Sequence, residues 1–183
     1  MKITKKHLSN LFYIAVFALF LWPSSRIWIQ RQIAFIPSVI DVEDREHISE
    51  KNWVLMDLEG NRVNLKDYKD QVIFVNFWAT WCPPCRAELP YLEEFYQDYH
   101  TKIAFLLVSN EDGEIVENFF HKEQFDLPNY KSISRPPAIF LETNSIPASY
   151  IIDKKGRVAV AKTGAARWNS SFFYRKLDQI LAE

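Results

Sequence analysis

Hydrophobic positions divide the chain into continuous apolar runs and helical stripes. Residues 72–78 and 103–108 are almost entirely apolar, which is typical of strands buried on both faces of a sheet. Residues 83–99 carry apolar side chains at spacings of three and one, which predicts a helix with one buried face. Residues 115–125 predict a second helix, and residues 168–181 predict a third.

Two hairpins flank this central part. The first pairs residues 53–58 with residues 62–65 across a turn at Gly60, and the second pairs residues 149–152 with residues 157–160. The order is therefore hairpin, strand, helix, strand, helix, hairpin, helix. This order predicts an α/β domain with a central mixed β-sheet, a βαβ unit at its centre and helices on both faces.

Residues 126–145 are polar and contain prolines, and the stretch is long for a plain connection, which predicts extra structure or a functional loop. Its second half holds an Arg-Pro-Pro sequence at 135–137 and an apolar triplet at 139–141. The pattern leaves two interpretations open: a surface that recognises a partner, or a plain surface insertion.

The N-terminus combines basic residues with an apolar run. Lys2, Lys5 and Lys6 precede residues 11–22, an apolar run of about 12 residues where roughly 20 are needed to cross a bilayer. A helix continuing past this run would be long enough, with Arg26 reaching the outer interface. We predict an uncleaved membrane anchor with the lysines in the cytoplasm. A cleaved signal peptide and an apolar helix of a soluble protein are the alternatives.

The sequence divides into three regions. Residues 1–37 form the predicted anchor and an interfacial amphipathic segment, and residues 52–183 the folded domain. Residues 38–51 form the linker between them, and its charged run 41–51 is interpreted as a solvated linker or a short helix. An anchor of this orientation places the domain outside the cytoplasm, in the periplasm or its equivalent.

Composition narrows the possible partners. A net charge of -1 gives no electrostatic reason to expect nucleic acid, and two cysteines exclude a disulfide-dense scaffold. We interpret a cluster of acidic side chains as a solvated face: Glu111, Asp112, Glu114 and Glu117.

Both cysteines stand two residues apart where a predicted strand meets a predicted helix. Unpaired amides and the helix dipole at such an N-terminus stabilise a thiolate, so Cys82 is the predicted nucleophile and Cys85 the resolving cysteine. A purely stabilising disulfide is one alternative, although so small a ring contributes roughly 2 kcal/mol at most. A metal site is another, but none of the four histidines stands at a ligand spacing from the pair. We predict a redox-active disulfide without a cofactor or metal.

Three neighbours of the cysteines are candidates for substrate contacts. Pro83 and Pro84 fix two φ angles and remove two backbone donors near the sulfurs, and so shape the redox potential. Trp81 is interpreted as an exposed apolar contact for a partner, with a packed aromatic as the alternative.

Three motifs in order resemble the thioredoxin superfamily, and specifically its membrane-tethered, extracytoplasmic branch of TlpA, ResA and CcmG-like proteins. They are the Leu-Glu-Gly turn with its flanking residues 58–65, the run 75–90 around Trp-Cys-Pro-Pro-Cys, and the Ser-Ile-Pro segment 145–156. The resemblance extends from about residue 53 to 181. It implies a thioredoxin-like fold with an added N-terminal β-hairpin and a membrane anchor.

The resemblance also implies roles for single residues. Pro147 is expected to be a cis-proline facing the cysteines, with the backbone of Ile146 pairing with a partner segment; an ordinary trans-proline is the alternative. Glu88 matches an acid that tunes thiol ionisation, and an exposed helix glutamate is the alternative. Asn76 occupies the position of a buried aspartate in thioredoxin and cannot titrate, so Glu88 is our candidate proton acceptor.

The implied activity is thiol–disulfide exchange. We expect an oxidoreductase that reduces disulfides in partner proteins and receives electrons from an upstream membrane donor. Relatives of this kind suggest the haem-attachment cysteines of apocytochromes as the substrate class. A peroxidase of the peroxiredoxin type and a non-enzymatic copper-binding chaperone are the alternatives.

Overall fold

The computed structural model describes Asn10, Tyr13 and residues 36–48 and 52–183. The predicted anchor lies almost wholly outside this part of the chain. Among the helices that are described, none is both long enough and apolar enough to cross a bilayer. The anchor therefore stays a prediction.

Among the residues that the structure describes, seven strands form one mixed sheet in the order β2-β1-β5-β4-β3-β6-β7. The strands are β1 (Val54–Asp57), β2 (Arg62–Asn64), β3 (Val72–Phe77), β4 (Ile103–Val108), β5 (Asn129–Ser132), β6 (Ala148–Ile152) and β7 (Val158–Thr163). β3, β4 and β5 run parallel, and all other neighbouring strands pair antiparallel. The predicted mixed sheet is confirmed, and β1 and β2 pair across Gly60, whose φ is 89°.

Three α-helices accompany the sheet within residues 36–48 and 52–183: α1 (Pro83–Tyr99), α2 (Gly113–Glu123) and α3 (Ser171–Ala182). α1 has its predicted bounds. α2 ends at Glu123 and is followed by its C-cap Gln124, which adopts a left-handed φ of 62°. α3 begins three residues later than predicted because Ser170 caps it, its hydroxyl accepting a hydrogen bond from the Phe173 amide at 3.2 Å. Trp168 therefore lies in the connection between β7 and α3.

The α-helices cover one face of the sheet, which corrects the expectation of helices on both faces. The buried side chains of α1, α2 and α3 belong to one apolar cluster, with Phe74 and Phe105 from the sheet. A second apolar cluster lies on the opposite face of the sheet. In the described residues this face is covered by two 3-10 helices, Leu65–Tyr68 and Ala138–Leu141. Since β3, β4 and β5 succeed one another in the same direction, right-handed crossovers place α1 and α2 on the same face.

The long stretch 126–145 is not a plain loop. It contains β5, which joins β1 to β4, and the 3-10 helix Ala138–Leu141. Asn129 at the start of β5 accepts a hydrogen bond from the Trp78 indole at 2.9 Å, which ties this stretch to the cysteine motif.

The described part of the predicted linker packs against the domain rather than lying in solvent. The amides of Ile40 and Ile48 donate to the carbonyls of Ala159 and Gly156 at 2.8 and 2.9 Å. The Arg45 side chain is buried and bonds to Asp153 at 3.1 Å. Residues 40–48 are therefore held along β7 and the turn before it.

Candidate active site

Cys82 and Cys85 form a disulfide at the junction of β3 and α1, with their Cα atoms 5.3 Å apart. Cys82 is the N-cap of α1, and its sulfur accepts a hydrogen bond from the Cys85 amide at 3.3 Å. Both side chains are buried. The α-helix thus begins at the predicted position, and its first free amide points at the predicted nucleophile.

The prolines explain why α1 begins here. Pro83 and Pro84 occupy the first helical positions, where an amide has no partner within the helix and the fixed φ of proline suits the helix. Trp81, directly before the N-cap, is 69% exposed, so the alternative of a packed aromatic is wrong. An apolar ring therefore stands in solvent beside the disulfide.

Pro147 closes the other side of the site. The Ile146–Pro147 peptide is cis, as predicted, and the carbonyl oxygen of Ile146 lies 3.7 Å from the Cys82 sulfur. The Pro147 carbonyl accepts a hydrogen bond from the Gly164 amide at 2.8 Å. The structure therefore brings the cysteines, the cis-proline and the start of the β7–α3 connection together.

Glu88 is fully buried one helical turn beyond Cys85, which overturns the alternative of an exposed glutamate. Its Oε1 accepts a hydrogen bond from the side-chain amide of Asn76, Nδ2, at 2.9 Å. Its Oε2 accepts two more, from the Ala166 backbone at 3.0 Å and the Trp168 indole at 3.2 Å. Three donors thus converge on one carboxyl group.

Burial and hydrogen bonding act on Glu88 in opposite directions. Removal from water raises its pKa because the charged form loses solvation, whereas the three donors and the charge of Lys162 lower it. Burial prevails, and the pKa of Glu88 is raised to about 7. A carboxyl group with this pKa exchanges protons near neutral pH.

Glu111 is a site residue that the sequence interpretation missed. Its carboxylate accepts hydrogen bonds from both the amide and the hydroxyl of Thr80, at 2.7 and 2.6 Å, and from the Ser109 hydroxyl at 3.1 Å. It therefore holds the turn before Trp81 and is not part of a solvated face. The sequence held one signal for this contact. Glu111 follows β4, whose carboxyl end lies beside the carboxyl end of β3, the strand that leads to Thr80.

Comparisons with known proteins agree with this architecture. A model of the AhpC/TSA family matches residues 49–161. Thiol-disulfide oxidoreductase ResA of Bacillus cereus is 39% identical over 111 residues, which cover 58% of this chain and 63% of that protein. ResA of Bacillus subtilis is 31% identical over 126 residues, covering 66% of this chain and 70% of that one.

A solved structure shares the fold. The thiol:disulfide interchange protein of the thioredoxin family from Chlorobium tepidum has a TM-score of 0.60 at 23% identity, covering 75% of this chain and 99% of that one. The sheet and the cysteine pair at the start of α1 define a thioredoxin-like α/β protein. The chain belongs to the AhpC/TSA family.

Proposed function

We propose that this chain is a thiol–disulfide oxidoreductase that works outside the cytoplasm and reduces disulfides in partner proteins. The observation that carries the proposal is the Cys82–Cys85 disulfide at the N-cap of α1, beside the exposed Trp81. A bond that closes so short a loop contributes roughly 2 kcal/mol at most, which makes a stabilising role a poor account of it. The relatives named as thiol-disulfide oxidoreductase ResA support the same reaction.

The reaction begins from the reduced pair, with a thiolate on Cys82 and a thiol on Cys85. The thiolate attacks one sulfur of the partner's disulfide, forms a mixed disulfide and releases the other sulfur as a thiolate. Cys85 loses its proton and attacks the Cys82 sulfur, which releases the partner's second thiolate. Two electrons pass to the partner, and the Cys82–Cys85 disulfide forms again.

The prolines support a role as reductant. A helix N-terminus stabilises a thiolate through its free amides, and Pro83 and Pro84 remove the first two. The Cys85 amide is left as the first donor toward the Cys82 sulfur. A less stabilised thiolate favours the disulfide form, so the pair gives up electrons more readily.

Glu88 is the proposed acceptor of the Cys85 proton. It lies on the next turn of α1, and its pKa of about 7 suits a group that takes a proton from a thiol and returns it to solvent. Asn76 cannot titrate, and it orients the Glu88 carboxyl by donating to Oε1.

Partner binding is proposed to use the rim of the disulfide. Trp81 offers an exposed ring, Pro83 and Pro84 form the adjoining surface, and Ile146 offers a backbone edge beside Pro147. An extended segment of the partner could pair with this edge as an added strand.

The proposed function also includes a membrane electron donor and attachment of the chain to the membrane. An oxidising compartment rarely leaves a dithiol reduced, so a reductant there needs an upstream membrane electron donor. We place the catalytic domain on the outer side of the predicted N-terminal anchor. Disulfides between the haem-attachment cysteines of apocytochromes are the proposed substrate class.

The reduction potential of the cysteine pair tests this function. The purified full chain would be equilibrated in thiol buffers and followed by tryptophan fluorescence, with Cys85→Ser as the control that cannot form the disulfide. We expect a potential of about -230 mV or lower. A value of about -120 mV would identify an oxidant and contradict the proposal.

Two further assays separate the alternatives. Consumption of hydrogen peroxide by the reduced chain would favour a peroxidase. Stoichiometric Cu(I) binding without reduction of a protein disulfide would favour a copper chaperone. The proposed reductase is expected to reduce the disulfide and to lose this activity in Cys82→Ser.

A further inference from the structure

A line of polar side chains crosses the sheet next to Glu88. Asn76 of β3 pairs with Ser149 of β6, and Ser149 pairs with Lys162 of β7. Cross-strand partners share a face of the sheet. The side-chain amide of Asn76 donates to both the Glu88 carboxyl at 2.9 Å and the Ser149 hydroxyl at 2.8 Å, which shows that this face is the one covered by α1.

Lys162 ends this line at the sheet edge. Ser149 is fully buried, whereas Lys162 is half-buried and its ammonium donates to the Thr163 carbonyl at 3.0 Å. Three residues after Thr163, the Ala166 amide binds the Glu88 carboxyl. The strand that carries Lys162 therefore continues directly into the segment that encloses Glu88.

The elements packed around Glu88 otherwise present neutral groups. β3 contributes Asn76, β6 contributes Ser149, and the β7–α3 connection contributes the Ala166 amide and the Trp168 indole. α1 itself contributes Cys85, which titrates only when the disulfide is reduced. Arg167 lies next to this segment in the sequence, but its side chain is exposed and points away from Glu88. Its guanidinium lies 5.7 Å from the centre of the Tyr91 ring.

We propose that Lys162 is a positioning residue of this site: its ammonium stabilises the ionised Glu88 carboxylate and so sets the pH range in which Glu88 accepts the Cys85 proton. The charge of Lys162 lowers the pKa of Glu88, against the larger effect of burial. The catalytic half of this inference rests on the role proposed above for Glu88. The electrostatic half, the effect of Lys162 on the ionisation of Glu88, does not depend on that role.

The electrostatic half is tested by following the Glu88 carboxyl directly. The full chain, oxidised and labelled with ¹³C at the glutamate carboxyls, would be titrated by NMR, with Glu88→Gln used to assign the resonance. In Lys162→Gln we expect the midpoint to rise by roughly 0.5–1 pH unit, since a partly solvated charge acts through screening. Lys162→Arg keeps the charge and should leave the midpoint within about 0.2 unit.

A matched control removes a different lysine. Lys176→Gln makes the same charge change on the exposed side of α3 and should leave the Glu88 midpoint in place. An unchanged midpoint in Lys162→Gln, with an unchanged near-ultraviolet circular dichroism spectrum, would overturn the proposal. Equal shifts in Lys162→Gln and Lys176→Gln would also overturn it, because they would reflect net charge alone.

The catalytic half is tested by the pH dependence of disulfide reduction. Glu88 must be ionised to accept a proton, so the acid limb of the rate profile should move to higher pH in Lys162→Gln. In a Glu88→Gln background the same substitution should move nothing. A midpoint that moves in the oxidised protein while the rate profile stays fixed would overturn the role of Glu88 as proton acceptor, and with it this half of the inference.

Discussion

The Glu88 carboxyl group is buried and accepts hydrogen bonds from three donors. The donors favour the charged form and burial favours the neutral form, and burial prevails. The native state therefore holds a proton between the ordinary pKa of 4.5 and about 7, where the unfolded chain has released it.

This proton makes stability depend on pH. Because the native state binds the additional proton, the stabilising contribution is complete below about 4.5 and is lost as the pH rises through about 7. Relative to Glu88→Gln, the unfolding free energy of the oxidised protein should fall by about 3 kcal/mol over this range. Denaturant unfolding of both proteins at several pH values measures this difference in unfolding free energy. Glu117→Gln, an exposed counterpart, should retain the wild-type slope, and parallel curves for wild type and Glu88→Gln would contradict the prediction.

Glu111 acts on a single turn. Its two hydrogen bonds to Thr80 are short and charge-assisted, a class of bond stronger than that between neutral groups. We expect Thr80→Val to lower the unfolding free energy by about 1 kcal/mol and Glu111→Gln by about 2 kcal/mol. The double variant should lose less than the sum, since both changes remove the same contact. Glu114→Gln, from the same acidic cluster, should have little effect, and strict additivity of Thr80→Val and Glu111→Gln would argue against the contact.

At the scale of elements, capping decides where helices begin. Ser170 caps α3, which brings Phe173, Leu177 and Ile180 into the core. Ser170→Ala should lower the unfolding free energy by about 1 kcal/mol, and Ser170→Asp should restore most of it. Thermal unfolding of the three proteins provides the measurement. Equal losses in both variants would show that the cap does not stabilise α3.

Some elements could be predicted because their signals are local. The apolar run of β3 and the two prolines after Cys82 indicate where α1 begins without reference to the rest of the fold. β5 could not be found this way, because its four residues, Asn129–Ser132, are mostly polar and become a strand through pairing with β1 and β4. Trp168 misled the prediction of α3 because an apolar residue in helical phase looks the same whether it packs from a helix or from a loop.

The candidate site also contains features that could be predicted from the sequence and others that could not. The cysteines and Pro147 were predictable because each is marked by its own short motif. The Glu111–Thr80 contact and the Glu88–Trp168 contact join residues about 30 and 80 positions apart, and no periodicity reports such distances. They depend on strand order, which places the ends of β3, β4 and β7 around one helix.

At the scale of the molecule, an ion network joins distant parts of the chain. Arg45 binds Asp153 at 3.1 Å and Glu183 at 2.6 Å, and Arg157 also binds Asp153, at 2.8 Å. Burial raises the pKa of Asp153, but hydrogen bonds from Arg157 and Arg45 outweigh it and hold the pKa below the ordinary 3.8. The segment before the domain is thus fixed to β6, β7 and α3.

Removing the buried guanidinium tests this attachment. Arg45→Met should lower the unfolding free energy by about 2 kcal/mol at neutral pH, because Asp153 and Glu183 lose one of their two guanidinium partners and keep only Arg157. The stabilisation from Asp153 is present above 3.8 and is lost as the pH falls through its lowered pKa, so the difference from wild type should shrink in strong acid. Denaturant unfolding from pH 7 to pH 2 measures both. Arg62→Met changes an exposed arginine and should show neither effect, and a constant difference at all pH values would count against the network.

The position of this segment also matters for neighbouring molecules. β7 is the last strand of the sheet, and an open strand edge invites pairing with the edge of another chain. Here Ile40 donates to Ala159, Ile48 donates to Gly156, and Val158 donates to Glu46, so residues 40–48 occupy backbone groups that would otherwise be available. The opposite edge, β2, is three residues long and offers little to pair with. The segment that leads from the predicted anchor thus protects the domain against edge-to-edge aggregation.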